Sequence, residues 1–182
     1  MIYMFIAEGF EEIEALCPLD IMRRAGLEVT TVGVGGTEIC GAHGITVRTD
    51  IDLDDYDARS DKRADMVFLP GGMPGTLNLA KCDSVIDAIK NALENDSYIA
   101  AICAAPSILG DMGILQGKEA ICYPGFEERL VGAKISEKKV VLDGRILTAA
   151  GMGAALDMGL KIVEIFCSSE KADALRHAVI AD

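Results

Sequence analysis

Tryptophan is absent from the 182 residues, and only two histidines, His43 and His177, accompany six cysteines. Two imidazoles are too few for a multi-histidine metal site or for a catalyst built on several imidazoles. No CxxC pair occurs: Cys17, Cys40, Cys82, Cys103, Cys122 and Cys167 stand far apart. Such spacing argues against a disulfide framework, which a chain of this size does not need. Basic runs are missing too. Seventeen Lys and Arg face 29 Asp and Glu, a net charge of −12, which leaves no face suited to nucleic-acid phosphates. The apolar opening Met1–Ala7 has no basic segment before it and runs into Glu8 and Glu11, unlike a secretory leader. No uncharged stretch reaches the roughly 20 residues of a membrane span, and Ser97–Gly110 is interrupted by Pro106. These absences point to a reduced, cytoplasmic protein with neither nucleic acid nor membrane as partner, and with no metal.

What is present is apolar. At 51% hydrophobic, the chain is large enough for one well-buried domain over residues 1–182 and too short for two ordinary ones. Short apolar runs at Ile2–Ala7, Glu28–Val34, Asp65–Leu69, Ser97–Ile102 and Arg145–Ala149 read as strands buried on both faces. Helical periodicity separates them. Asp83–Glu94 places Val85, Ile86, Ile89 and Leu93 on one face, and Leu156–Cys167 repeats the pattern with Leu156, Leu160, Val163 and Phe166. Lys171–Ile180 reads as a last helix with His177 on its solvated side. This alternation predicts an α/β fold with an open parallel sheet sandwiched by helices. Glu38–Arg48, with Gly41 and Gly44 at turn positions, reads as a small hairpin at the sheet edge. Lys118–Asp143 reads as a loop-rich excursion ending in a hairpin around Asp143-Gly144.

Three loops carry chemistry. In Tyr98-Ile-Ala-Ala-Ile-Cys103-Ala-Ala-Pro106 a buried strand runs straight into a cysteine, and a proline follows at a helix's first turn. Ala101 and Ala105 are small enough for a sharp strand-to-helix elbow like that of G-x-S-x-G. A thiol at a helix start meets unpaired N–H groups, which predicts a pKa lowered to about 3.5–7.5. Leu69-Pro-Gly71-Gly72-Met-Pro-Gly75 follows another strand, and its glycines let backbone amides approach a ligand. The amides of Gly72 and Ala104 together suit an oxyanion. The third loop, Ala7-Glu-Gly-Phe-Glu-Glu-Ile-Glu14-Ala, offers four acids. Glu8, Glu11 and Glu12 read as solvated. Glu14, between Ile13 and Ala15 and four residues before Pro18, reads as an acid in an apolar crevice, where Pro18 opens the helix at the Glu14 carbonyl. Such a carboxyl has a raised pKa and serves either as a donor to a thiolate or as a base.

Taken together, AEGFEEIEA, the helix Pro18–Gly26, LPGG, AAICAAP and ILTAAGMGAALDMGLKIVE resemble the ThiJ/PfpI family over nearly the whole chain. The resemblance implies a flavodoxin-like fold, commonly a homodimer, and a reactive Cys103 hydrogen-bonded to a protonated Glu14. It also implies amides from Gly72 and Ala104, substrate contacts near Gly71 and Tyr123, and Arg24 reaching the site from a partner's helix. The chain departs from the pattern in three places. Tyr123-Pro124 stands where many relatives have His-Pro, Ala104 replaces a histidine of peptidase-like members, and Ala150-Gly-Met-Gly153 replaces Arg-Gly-Pro-Gly. No Cys-His dyad follows. His43 is the one imidazole with a route to the crevice, from its own chain or a partner's; otherwise it is a turn residue.

The function expected from these features is metal-free, cofactor-free chemistry of Cys103 and Glu14 on small reactive carbonyls, of glyoxalase or deglycase type. A redox-sensing, chaperone-like stress role through oxidation of Cys103 is the alternative. An amidase or peptidase ranks last, because Tyr123, with a phenol pKa of about 10, does not replace an imidazole base near neutrality.

Overall fold

The first strand, β1 (Ile2–Ala7), is buried along its whole length, and its side chains alternate between two cores. Tyr3, Phe5 and Ala7 enter one core, while Ile2, Met4 and Ile6 enter the other. The two-residue period of a strand produces this division, and a strand covered on both faces reads as an unbroken apolar run. A computed structural model describes residues 1–57, 59 and 63–181. After β1 come helix α1 (Glu12–Arg24), β2 (Val29–Val34), β3 (Glu38–Cys40), β4 (Thr46–Arg48), β5 (Ile51–Asp52) and α2 (Leu53–Asp57). Then follow β6 (Met66–Leu69), α3 (Gly75–Ala80), α4 (Asp83–Glu94), β7 (Tyr98–Ile102) and α5 (Pro106–Asp111). The last third holds β8 (Glu119–Ala120), β9 (Lys134–Ile135), β10 (Val140–Asp143), β11 (Ile146–Ala149), α6 (Ala155–Phe166) and α7 (Ser169–Ala178).

Seven strands form the main sheet in the order β10-β11-β7-β6-β1-β2-β5, parallel except for the β10–β11 hairpin. One core lies between the sheet and α4 and α5; the other lies beneath α1 and α6. The fold is the flavodoxin-like α/β sandwich that the strand and helix periods predict. Chain order runs outward from β1 through β2 to β5, then reverses to β6 on the other side of β1. That reversal opens a crevice at the carboxyl ends of β1 and β6, the usual ligand position of such a sheet. The loops leaving the two strands interlock there. The Gly75 amide donates to the Gly9 carbonyl at 3.0 Å, and the Glu11 amide donates to the Gly71 carbonyl at 2.9 Å.

Several expectations are corrected. The hairpin of β3 and β4 is a separate two-stranded sheet and not an edge of the main one; β5 is the edge strand there. Leu93 is 41% exposed, because the buried face of α4 is narrower than its apolar stripe and is made by Val85, Ala88, Ile89 and Ala92. Helix α1 runs unbroken past Pro18. Gly159 of α6 lies against that proline and Ile21, so the two helices pack closely where the ring removes a hydrogen bond. Among the described residues no helix is long and apolar enough to cross a membrane.

Candidate active site

Cys103 follows the last residue of β7 with φ +65°, a left-handed conformation that a side-chain-bearing residue rarely adopts. Two hydrogen bonds lock it there: its amide donates to the Ala149 carbonyl at 2.9 Å, and its carbonyl accepts from the Tyr123 amide at 2.8 Å. Ala104 and Ala105 are 2% and 0% exposed, so larger residues would not fit the turn. Pro106 then occupies the first position of α5. The strained elbow is therefore present as the small residues predicted.

Glu14 is the third residue of α1, and the Glu11 carboxylate caps that helix by accepting the Glu14 amide at 2.7 Å. Its residue is 1% exposed. Gly71 defines how the acid and the thiol meet. A Cβ built on Gly71 would lie 2.5 Å from Glu14 Oε2 and 2.6 Å from Cys103 Cβ, so only a glycine separates the two groups. Oε2 is wholly buried and has no partner of full hydrogen-bond geometry. Burial raises the Glu14 pKa to about 7, aided by the Glu11 charge; weaker pulls from the Cys103 thiol and the Gly71 and Met152 amides oppose it.

The lowering of the thiol pKa expected from a helix start meets two opposing influences. Burial and the facing Glu14 carboxyl push Cys103 up to about 12, against the Ala104 and Gly72 amides, which favour the anion. Helix α5 has only six residues and begins three residues beyond the sulfur, so its dipole cannot outweigh a carboxylate in contact.

The neighbouring acids are corrected as well. Glu12 is 2% exposed rather than solvated. It sits just beneath the turn of the β3–β4 hairpin and accepts the His43 amide at 2.8 Å, the His43 ring Nδ1 at 2.8 Å and the Ile45 amide at 3.4 Å. Burial works against its charge, but the His43 hydrogen bonds and the other amides prevail and lower its pKa to about 2. The Glu12 hydrogen bond raises the pKa of the exposed His43 ring. His43 is therefore brought to Glu12 as a turn residue. A Cβ on Gly41 would lie within 2.5 Å of Glu12 Cδ, which explains the glycine. Glu11, Glu12 and His43 bring three ligand-type atoms within 4.8 Å; Glu11 Oε2 caps the helix, and both Glu12 oxygens bond the hairpin turn. Arg24 lies on the last turn of α1, ten residues from Glu14, and pairs with Asp20 at 2.6 Å. Cys82 is half-buried, and Cys167 is the exposed cysteine.

A mostly parallel sheet with helices on both faces, a left-handed cysteine after one central strand and a buried carboxyl close to it define a flavodoxin-like protein. Residues 1–165 match the DJ-1/PfpI family, and the chain belongs to that family. It is 34% identical to the "Parkinson disease protein 7 homolog" of Danio rerio, over 97% of this chain and 95% of that one. "Glutathione-independent glyoxalase DJR-1.2" of Caenorhabditis elegans is 32% identical over 92% of this chain and 89% of its own. "Protein DJ-1 homolog A" of Arabidopsis thaliana is 37% identical over 92% of this chain, which spans 43% of that relative's length. "Protein DJ-1 homolog B" of the same plant is also 37% identical, and 38% of its length is spanned. The structure of oxidized Toxoplasma gondii DJ-1 superposes with a TM-score of 0.92 at 28% identity, covering 98% of this chain and 97% of that one.

Proposed function

We propose that the protein converts small α-oxoaldehydes to 2-hydroxy acids, with Cys103 as nucleophile and Glu14 as the proton carrier. The observation that carries this reading is the pairing of thiol and carboxyl across Gly71. The Cys103 proton passes to the Glu14 carboxylate as sulfur attacks the aldehyde carbon. A C–S bond forms, and the electron pair of the C=O bond moves to oxygen, beside the Gly72 and Ala104 amides. Glu14 returns the proton to that oxygen, giving a hemithioacetal. The carboxylate next takes the proton from the aldehyde carbon and delivers one to the neighbouring ketone carbon, while the hemithioacetal hydroxyl proton passes to the ketone oxygen, leaving a thioester and an alcohol. Water hydrolyses the thioester, releases the acid and restores the thiol. Oxidation of one carbon balances reduction of the next, so water is the only co-reactant. A pKa of about 7 suits Glu14 to both halves of this shuttle. The glyoxalase name of the C. elegans relative points to the same substrates. In this reading the protein is a cytoplasmic homodimer, with Arg24 supplied across the interface. Consumption of methylglyoxal by the wild type, compared with Cys103→Ser, tests the chemistry. Equal rates overturn it.

A second reading has its own support: the Gly72 and Ala104 amides favour negative charge on the sulfur, and a relative's structure is of an oxidized form. Oxidation of Cys103 to a sulfinate would then serve redox sensing. Mass spectrometry after mild peroxide discriminates, with exposed Cys167 as internal control. Two oxygens added at Cys103 before Cys167 support sensing, and equal oxidation rejects it.

A further inference from the structure

A cleft of about 340 Å³ is walled by Tyr123 and Pro124 on one side and by residues 150–154 on the other. That volume suits the substituent of a small molecule, at the low end of the roughly 300–1,000 Å³ of ligand pockets. Its walls are mostly apolar, and Lys139 contributes the single charged side chain. Tyr123 and Met152 are 51% and 55% exposed, so both are open to a ligand from solvent. Two of its lining residues, Tyr123 and Gly151, adjoin the Cys103–Glu14 pair. The Tyr123 amide holds the Cys103 carbonyl at 2.8 Å. A Cβ on Gly151 would meet the Tyr123 ring at 3.2 Å and Glu14 Oε1 at 3.6 Å. With glycine at 151, no side chain stands between Glu14 Oε1 and the Tyr123 ring at this position. An aldehyde carbon bonded to sulfur has its ketone carbon next to it, and the side of Glu14 that faces Gly151 and Tyr123 is the side on which this cleft lies.

We propose that the cleft receives the ketone substituent of an α-oxoaldehyde and selects aryl or branched alkyl groups over methyl. Tyr123 offers a flat aromatic wall for edge or offset stacking, and Met152 offers a flexible thioether that follows an irregular group. This inference rests on the carbonyl chemistry proposed for Cys103.

The test compares kcat/KM for phenylglyoxal and methylglyoxal in the full chain. The wild type is expected to prefer phenylglyoxal by about tenfold or more, the range an apolar pocket discriminates. Tyr123→Ala combined with Met152→Ala brings the ratio close to one, while Tyr123→Phe keeps it, because the ring and not the hydroxyl forms the wall. A wild-type ratio near one, or a ratio unmoved in the double variant, overturns the subsite and leaves the carbonyl reading intact. If neither aldehyde is consumed faster than by Cys103→Ser, the carbonyl reading fails. The cleft is then judged by titrating the Cys103→Ser protein with acetophenone: amide chemical-shift changes at residues 150–153 support an aryl-ketone site, and their absence overturns it.

Discussion

Glu12 and Glu14 stand two residues apart in one helical turn, 2% and 1% exposed, yet their acidities move in opposite directions. Glu12 falls to about 2 and Glu14 rises to about 7. The difference lies in what each carboxyl meets. Glu12 points under the β3–β4 hairpin, where two amides and an imidazole supply donors. Glu14 points at a thiol across Gly71, and its Oε2 lacks a well-formed donor. Burial opposes charge in both, and the donors decide which one yields. One carboxylate is thereby fixed as a structural anion, and the other stays able to move a proton near neutrality.

Replacing each acid by its amide separates these roles most sharply. Glu14→Gln removes the proton carrier, and methylglyoxal turnover is expected to fall about 100-fold or more. The same change removes the charge that holds the Cys103 proton, so alkylation by iodoacetamide at pH 8 accelerates about tenfold or more. A faster thiol and a slower catalyst in one variant would establish Glu14 as a base acting on sulfur. Parallel loss of both rates would instead show that Glu14 supports the thiolate. Glu12→Gln leaves both rates within a small factor of wild type.

Stability reverses the ranking. Glu12→Gln places an amide against donors, costing about 1–3 kcal/mol in urea denaturation. Glu14→Gln stabilises the protein at pH 8 by on the order of 2 kcal/mol, because a buried ionised carboxyl is exchanged for a neutral group. The pH dependence of stability follows from the same directions. Glu12, lowered from 4.5 to about 2, contributes stability above pH 4.5 that is lost as pH falls through 2. Glu14, raised from 4.5 to about 7, binds a proton more tightly when folded, so its influence makes stability decline as pH rises from 4.5 through 7. Denaturation across pH 4–8 should show that decline in wild type and Glu12→Gln but not in Glu14→Gln.

The sequence disclosed one side of this contrast far better than the other. Strands such as β1 and β7 were legible because burial on both faces leaves an apolar run. The Cys103 elbow was legible because Ala101, Ala105 and Pro106 are local to it. Glu14 drew notice through its apolar neighbours and Pro18. Glu12 had no such signal: its partner His43 is 31 residues away, and only docking of the hairpin joins them. The influences on the thiol were only half legible for a related reason. A helix start is visible in sequence, but contact with a carboxylate across Gly71 is a tertiary fact, and at that distance the carboxylate prevails.

The smallest expected effect concerns His43, and it tests which donors hold Glu12. Its ring is 69% exposed, where an ion pair is weakened by water and salt, whereas its amide lies against the buried carboxylate. His43→Ala keeps that amide and removes only the ring, so it should destabilise the protein less than Glu12→Gln. The raised folded pKa of His43 gives the loss a pH signature. The ring contributes fully below its ordinary pKa of 6.5, and that contribution disappears as pH rises through the folded value. Wild type and His43→Ala should therefore differ in melting temperature at pH 6 and converge at high pH. If the difference equals that of Glu12→Gln and persists at high pH, the ring and not the backbone turn anchors the carboxylate, and the hairpin depends on a surface imidazole.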